Sequence, residues 1–153
     1  MPAKTAAKGI AKGIGYSGTP LPKKLGIRDG HRVALVSAPS GFERQLGPAA
    51  GGATISRRLR GKADIFVFFP KSASDLVRRL PALVSRLESN GGLWIAWPKK
   101  SSGVRTDLDF DLVQRTGLSA GLVDNKVCAV DEVFSGLRFV YRLVDRSAKE
   151  PSP

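Results

Sequence analysis

Residues 64–97 read DIFVFFPKSASDLVRRLPALVSRLESNGGLWIAW, and this stretch decides the fold. Asp64 to Phe69 is a nearly continuous apolar run of branched and aromatic residues, the pattern of a strand buried on both faces. Beyond Pro70, the residues Leu76, Val77, Leu80, Leu83, Val84 and Leu87 recur at helical spacing and form one apolar face. That spacing predicts a helix from Ser74 to Asn90. Ser74 serves as its N-cap, Asp75 sits at its positive end, Pro81 kinks it or marks a late start, and Asn90-Gly91-Gly92 stops it. Arg78, Arg79, Arg86 and Glu88 fall away from the apolar face. Leu93 to Trp97 (LWIAW) is a second buried strand. Strand, helix, strand is the repeating unit of a parallel sheet.

The flanks extend this unit. Upstream, Arg32 to Ser37 (RVALVS) is another buried strand and Ala53 to Leu59 a weaker one. Leu21 to Leu25 and Phe42 to Leu46 suit short helices. Downstream, a helix begins near Thr106 or Asp107, with Asp107, Asp109 and Asp111 about its first turn, Arg115 in its last turn and Gly117 as its stop. Lys126 to Val130 and Leu137 to Val144 are strand-like runs, with Phe134-Ser135-Gly136 between them as the turn of an antiparallel hairpin. The order predicts an α/β domain over residues 15–144, with a mostly parallel sheet closed by a C-terminal antiparallel hairpin. Residues 1–14 carry Lys4, Lys8 and Lys12 among Ala and Gly and read as a disordered basic arm, and residues 145–153 as a polar tail.

Composition narrows the function classes. The 153 residues suit one domain, and 42% apolar content supplies a core. No apolar run approaches the roughly eighteen residues of a membrane span, so a cytoplasmic protein with no membrane partner is expected. One cysteine, Cys128, and one histidine, His31, leave no cysteine-based or multi-histidine metal site. Net charge is +12, yet residues 101–153 carry seven basic and eight acidic side chains, so the excess lies in the first two thirds. Such a field attracts phosphates and nucleic acid.

Parallel sheets bind ligands beyond the carboxyl ends of their strands. The residues delivered there are Ser37, Ser40 and Gly41 after the first strand, Lys71 after the third, Lys99 and Lys100 after the fourth, and Thr106 at the next helix start. Three lysines and a helix start suit an anion. Solvated surface lysines explain the same residues about as well. Arg57, Arg58, Arg60 and Lys62, with Lys4, Lys8 and Lys12 of the arm, form the nucleic-acid candidate, and the alternative is a basic edge strand that resists aggregation. With no base-reading motif, such binding is expected to be weak, sequence-tolerant and salt-dependent. Lys126 lies among Asp124, Asp131 and Glu132, an arrangement read as a structural ion pair in preference to acid–base chemistry. Cys128, in an apolar run with no neighbouring histidine, reads as a buried thiol.

The element order and final hairpin resemble the three-layer, Rossmann-like methyltransferase fold. Residues 26–41 (GIRDGHRVALVSAPSG) are similar to its lead-in and first strand, and residues 64–97 to its later strand, helix and "GG" strand. In that fold a Gly-rich loop after the first strand lets the backbone approach S-adenosylmethionine, and an acid after the second strand binds ribose hydroxyls. Here the loop is Ser37-Ala38-Pro39-Ser40-Gly41, and Arg57, Arg58 and Arg60 stand where the acid is expected, so no cofactor is expected. Three strings, GYSGTPLPKKLGI (Gly15 to Ile27), LWIAWPKKSSG (Leu93 to Gly103) and LVDNKVCAVDEVFSGLRFV (Leu122 to Val140), resemble a bacterial family known as domain of unknown function three thousand and fifty-two. That resemblance implies a stand-alone bacterial domain and no particular activity.

The sequence thus favours a non-catalytic module binding an anion or nucleic acid on a methyltransferase-like fold. The alternatives are a divergent methyltransferase-like enzyme and a protein-binding domain that dimerises through the hairpin.

Overall fold

The computed structural model describes residues 18–47 and 51–149. Six strands form one sheet: β1 (Arg32–Val36), β2 (Thr54–Ser56), β3 (Ala63–Phe68), β4 (Leu87–Pro98), β5 (Leu122–Ala129) and β6 (Phe134–Tyr141). Their spatial order is β2-β1-β3-β4-β6-β5. The first four are parallel neighbours, while β6 runs antiparallel to both β4 and β5. The mostly parallel sheet with a terminal hairpin is therefore as the sequence predicts. The basic arm with Lys4, Lys8 and Lys12 lies outside the described residues.

Alternation along the strands fills two cores. Ala34, Phe66, Phe68, Leu93, Ile95 and Trp97 point to one face, under α3 (Ala73–Ser85) and α4 (Phe110–Ser119). Val33, Leu35, Ile65, Val67, Trp94 and Ala96 point to the other, under α1 (Leu21–Leu25) and α2 (Phe42–Leu46). Trp94 is fully buried, and its indole N–H donates to the Leu25 carbonyl at 2.9 Å, which satisfies its one polar atom. The result is three layers, as expected for this fold class.

Several boundaries differ from the sequence reading, each for a local reason. Ser72, not Ser74, caps α3, its hydroxyl accepting from Asp75 N–H at 3.1 Å. Pro81 lies within α3 and not at a late start. The helix ends at Ser85, and Asn90-Gly91-Gly92 lies inside β4, where the register with β3 slips between Ala63 and Ile65. A Cβ at Gly91 would sit 2.5 Å from the Asp64 carbonyl oxygen, so this glycine permits close strand approach and does not stop a helix. Gly117 also fails as a stop. It sits within α4, where a Cβ would lie 2.1 Å from the Phe139 ring. The hairpin turn precedes Phe134, with the Asp131 carboxylate accepting from the N–H groups of Val133 and Phe134 at 2.8 Å each. Finally β6 ends at Tyr141, and helix α5 (Leu143–Lys149) occupies the start of the expected tail.

The largest departure lies between β2 and β3. The strand expected over Ala53 to Leu59 shrinks to three residues. Residues 57–62 then cross back without a helix, and Leu59 packs onto the first core. Arginines hold this strap. Arg86 donates to the carbonyls of Leu59 and Gly61 at 2.6 and 2.7 Å, and Arg32 to those of Arg60 and Lys62 at 2.6 and 3.1 Å. The Arg86 guanidinium stacks on Phe66, 5.3 Å from the ring centroid, and that of Arg79 on Phe68 at 5.2 Å. These two arginines therefore cover the sheet, contrary to their expected place on the solvated side of the helix.

Candidate ligand edge of the sheet

The carboxyl ends of the parallel strands present the loops after β1, β3 and β4. The chain after β1 turns sharply: Ser37 has φ 57° and Gly41 φ 82°, and only the second is free of a Cβ penalty. Arg57, at the end of β2, closes over this loop. Its guanidinium donates to the carbonyls of Ala38 and Pro39 at 2.6 and 2.7 Å and takes both carboxylate oxygens of Glu43 at 2.6 and 3.0 Å. Hydrogen bonding to Arg57 is the largest cause holding the Glu43 carboxyl down at about 2, from an ordinary 4.5. Arg79 reaches across from α3 and donates to the Ser37 hydroxyl at 2.8 Å. Sequence reading missed Glu43 and Arg79, because nothing local marks a contact spanning fourteen or forty-two residues.

The other carboxylates of this edge are also engaged. Asp75 accepts from the Lys71 backbone N–H at 3.0 Å, which is the main cause of its lowered pKa, and it pairs with Arg78 at 2.6 Å. Asp107 accepts from Ala73 N–H at the start of α3, and Asp109 from Leu112 N–H at the start of α4, both at 2.8 Å. By contrast, the ammonium groups of Lys71, Lys99 and Lys100 have no hydrogen-bond or ion-pair partner among the described residues.

Lys100 and Thr106 share a concavity of about 440 Å³ with Asp107 and Asp109, between the β4 loop and the start of α4. Neither Lys71, Lys99, Ser37, Ser40 nor Gly41 lines it. Lys99 is half-buried, its backbone N–H bound to the Val133 carbonyl at 2.7 Å, while Lys71 and Ser40 are exposed. In the arginine cluster, Arg57 is committed to the clasp, and Arg58, Arg60 and Lys62 remain exposed. In the hairpin, Lys126 donates to the Lys24 carbonyl at 3.0 Å in place of the expected ion pair. Cys128 is half-buried, and burial pushes its thiol pKa up against the pull of Lys24 and Lys126, so it is held protonated. The expected dimer strand β5 is an edge of the sheet with Val127 exposed.

No protein-family model and no curated protein matches this chain. Solved structures do. The pyocyanin biosynthetic protein PhzM aligns with TM-score 0.59 at 9% identity, over 80% of this chain and 53% of its own. Magnesium protoporphyrin IX methyltransferase from Synechocystis PCC 6803, with bound S-adenosylmethionine, gives 0.54 at 11%, over 74% and 71%. An O-methyltransferase of neocarzinostatin biosynthesis gives 0.52 at 13%, over 73% and 49%, so the chain spans about half the length of that protein. The likeness is one of architecture, and the chain has the α/β methyltransferase fold. No helix among the described residues is long and apolar enough to cross a membrane.

Proposed function

We propose that the chain is a non-catalytic binding module on the methyltransferase fold, taking an anion at the carboxyl edge of its sheet. The observation that carries this reading is Arg57. S-adenosylmethionine brings a ribose diol and a sulfonium cation. A diol needs a carboxylate after β2, but Arg57 stands there and takes both oxygens of the nearby Glu43. Arg57, Arg79 and the lysines give this edge a positive field, which repels a cation and draws an anion. These residues do not fit that cofactor.

The comparisons favour a second reading, a divergent methyltransferase-like enzyme, because the neighbours of known activity named above are methyltransferases. Titration calorimetry separates the two. The module reading expects no complex with S-adenosylmethionine and weak, salt-dependent heat with phosphate or single-stranded nucleic acid. Replacing Lys100 by Ala should weaken phosphate binding several-fold and leave thermal stability unchanged, as exposed substitutions usually do. A one-to-one micromolar complex with S-adenosylmethionine would overturn the module and favour the enzyme.

A further inference from the structure

The opposite side of the domain carries a second cavity, of about 420 Å³, toward the amino ends of the parallel strands. We propose that it is a binding site for a small polyanion carrying phosphate groups. Its volume lies within the range of small-molecule sites. Lys24, Arg28, His31, Lys126 and Arg138 all line it, and they come from α1, the loop before β1, β5 and β6. Asp64 is the one carboxylate in the lining, and it is engaged as the acceptor of Arg32 N–H at 2.8 Å. No Phe, Tyr or Trp side chain lines the cavity.

Arg138 is the centre of the argument. Its guanidinium is half-buried and pairs with no carboxylate among the described residues. Its one side-chain hydrogen bond among the described residues is to the Asn125 side-chain oxygen, at 3.4 Å. Burial, then the nearby charge of Arg146, lowers its pKa, which is the signature of a cation held without its counter-ion. The backbone makes room for this arrangement. A Cβ on Gly92 would fall 2.4 Å from the Arg138 side chain, so a glycine in β4 lets the guanidinium lie against the strand. Beside it the β5–β6 register slips between Asp124 and Lys126, a bulge that re-aims Asn125 and Lys126.

The remaining groups add donors. The His31 Nδ1 atom accepts from the Arg28 N–H at 3.1 Å, so the neutral ring carries its proton on Nε2. Lys126 spends one of its three N–H groups on the Lys24 carbonyl. Donors that converge from the loop before β1, from β5 and from β6, around a guanidinium lacking a carboxylate, match a phosphate better than any neutral or cationic ligand.

The test is an NMR titration of the full chain with pyrophosphate, followed at backbone amides. The amides of Gly92, Asn125 and Lys126 should shift and saturate, and Arg138→Gln should weaken that response about ten-fold or more. Residues 100–109 report the carboxyl edge separately, so failure at one edge is distinguishable from failure at the other. If Arg138→Gln does not fold, Lys126→Gln tests the same site. The proposal is overturned if the cavity amides stay still to roughly 10 mM pyrophosphate. It is equally overturned if sodium chloride of equal ionic strength moves them as far, or if neither variant changes the affinity.

Discussion

Replacing Arg86 by Ala tests whether arginines do the work of a helix between β2 and β3. The side chain makes two charge-assisted bonds, to Leu59 and Gly61 carbonyls at 2.6 and 2.7 Å, and covers Phe66 at 5.3 Å. Both carbonyls lie near solvent and regain water when the guanidinium is removed, so each bond is worth about 1 kcal/mol, the ordinary value and below that of a buried charged pair. Stacking on the ring adds about 0.5–1 kcal/mol. The expected loss is about 2.5–3 kcal/mol, a large share of a typical domain's 5–15. At a urea slope of about 2 kcal/mol/M the midpoint should fall by about 1–1.5 M. Arg86→Lys should recover little, because an ammonium cannot fork between two carbonyls. Arg78→Ala, whose side chain is 72% exposed, is the control and should cost no more than about 1 kcal/mol. A midpoint for Arg86→Ala close to that of the parent, or full rescue by Lys, would refute the reasoning.

Two more outcomes follow from the same geometry. Gly117→Ala should lower thermal stability, although Ala is the better helix former by about 1 kcal/mol, because overpacking against Phe139 costs about 1–3 kcal/mol; a raised melting temperature would show that the ring has room. The Glu43 carboxyl should titrate near 2 and not 4.5, so its contribution to stability is complete above about 4.5 and disappears as pH falls through 2. In Arg57→Ala the NMR midpoint of Glu43 should return toward 4.5, with only a small stability change because the pair is exposed.

Strands and helices were legible where one signal had one meaning. RVALVS, DIFVFF and LWIAW could only be buried strands, and all three lie centrally in the sheet. Glycine was read wrongly because one residue type answers several needs. Asn90-Gly91-Gly92 has the composition of a helix stop and serves as a bulge, and Gly117 has the position of a stop and serves as a seat for Phe139. Topology set which loops lie at the carboxyl edge, but not what their side chains meet. Spacing along the chain carries no information on whether Arg57 will find a carboxylate or Lys100 will meet Lys71. The cavity around Arg138 was invisible for the same reason, since its donors come from segments more than a hundred residues apart.

The arginine clasp and strap change what the net charge of +12 means. Arg32, Arg57, Arg79 and Arg86 all belong to the basic first two thirds of the chain, and all point their guanidinium groups at this chain's own carbonyls, hydroxyl, carboxylate or rings. A guanidinium bound to a carbonyl keeps its full charge, so the long-range field survives and would still draw anions toward the surface. It no longer has its donor fork to offer, however, and the fork is what makes an arginine–phosphate contact strong and oriented. Attraction and affinity are thus uncoupled over the strap. A polyanion such as nucleic acid would be drawn in there and held only by Arg58, Arg60 and Lys62, giving loose binding that salt abolishes. Tight, oriented binding needs donors with capacity to spare, and around Arg138 they are gathered from the loop before β1, from β5 and from β6.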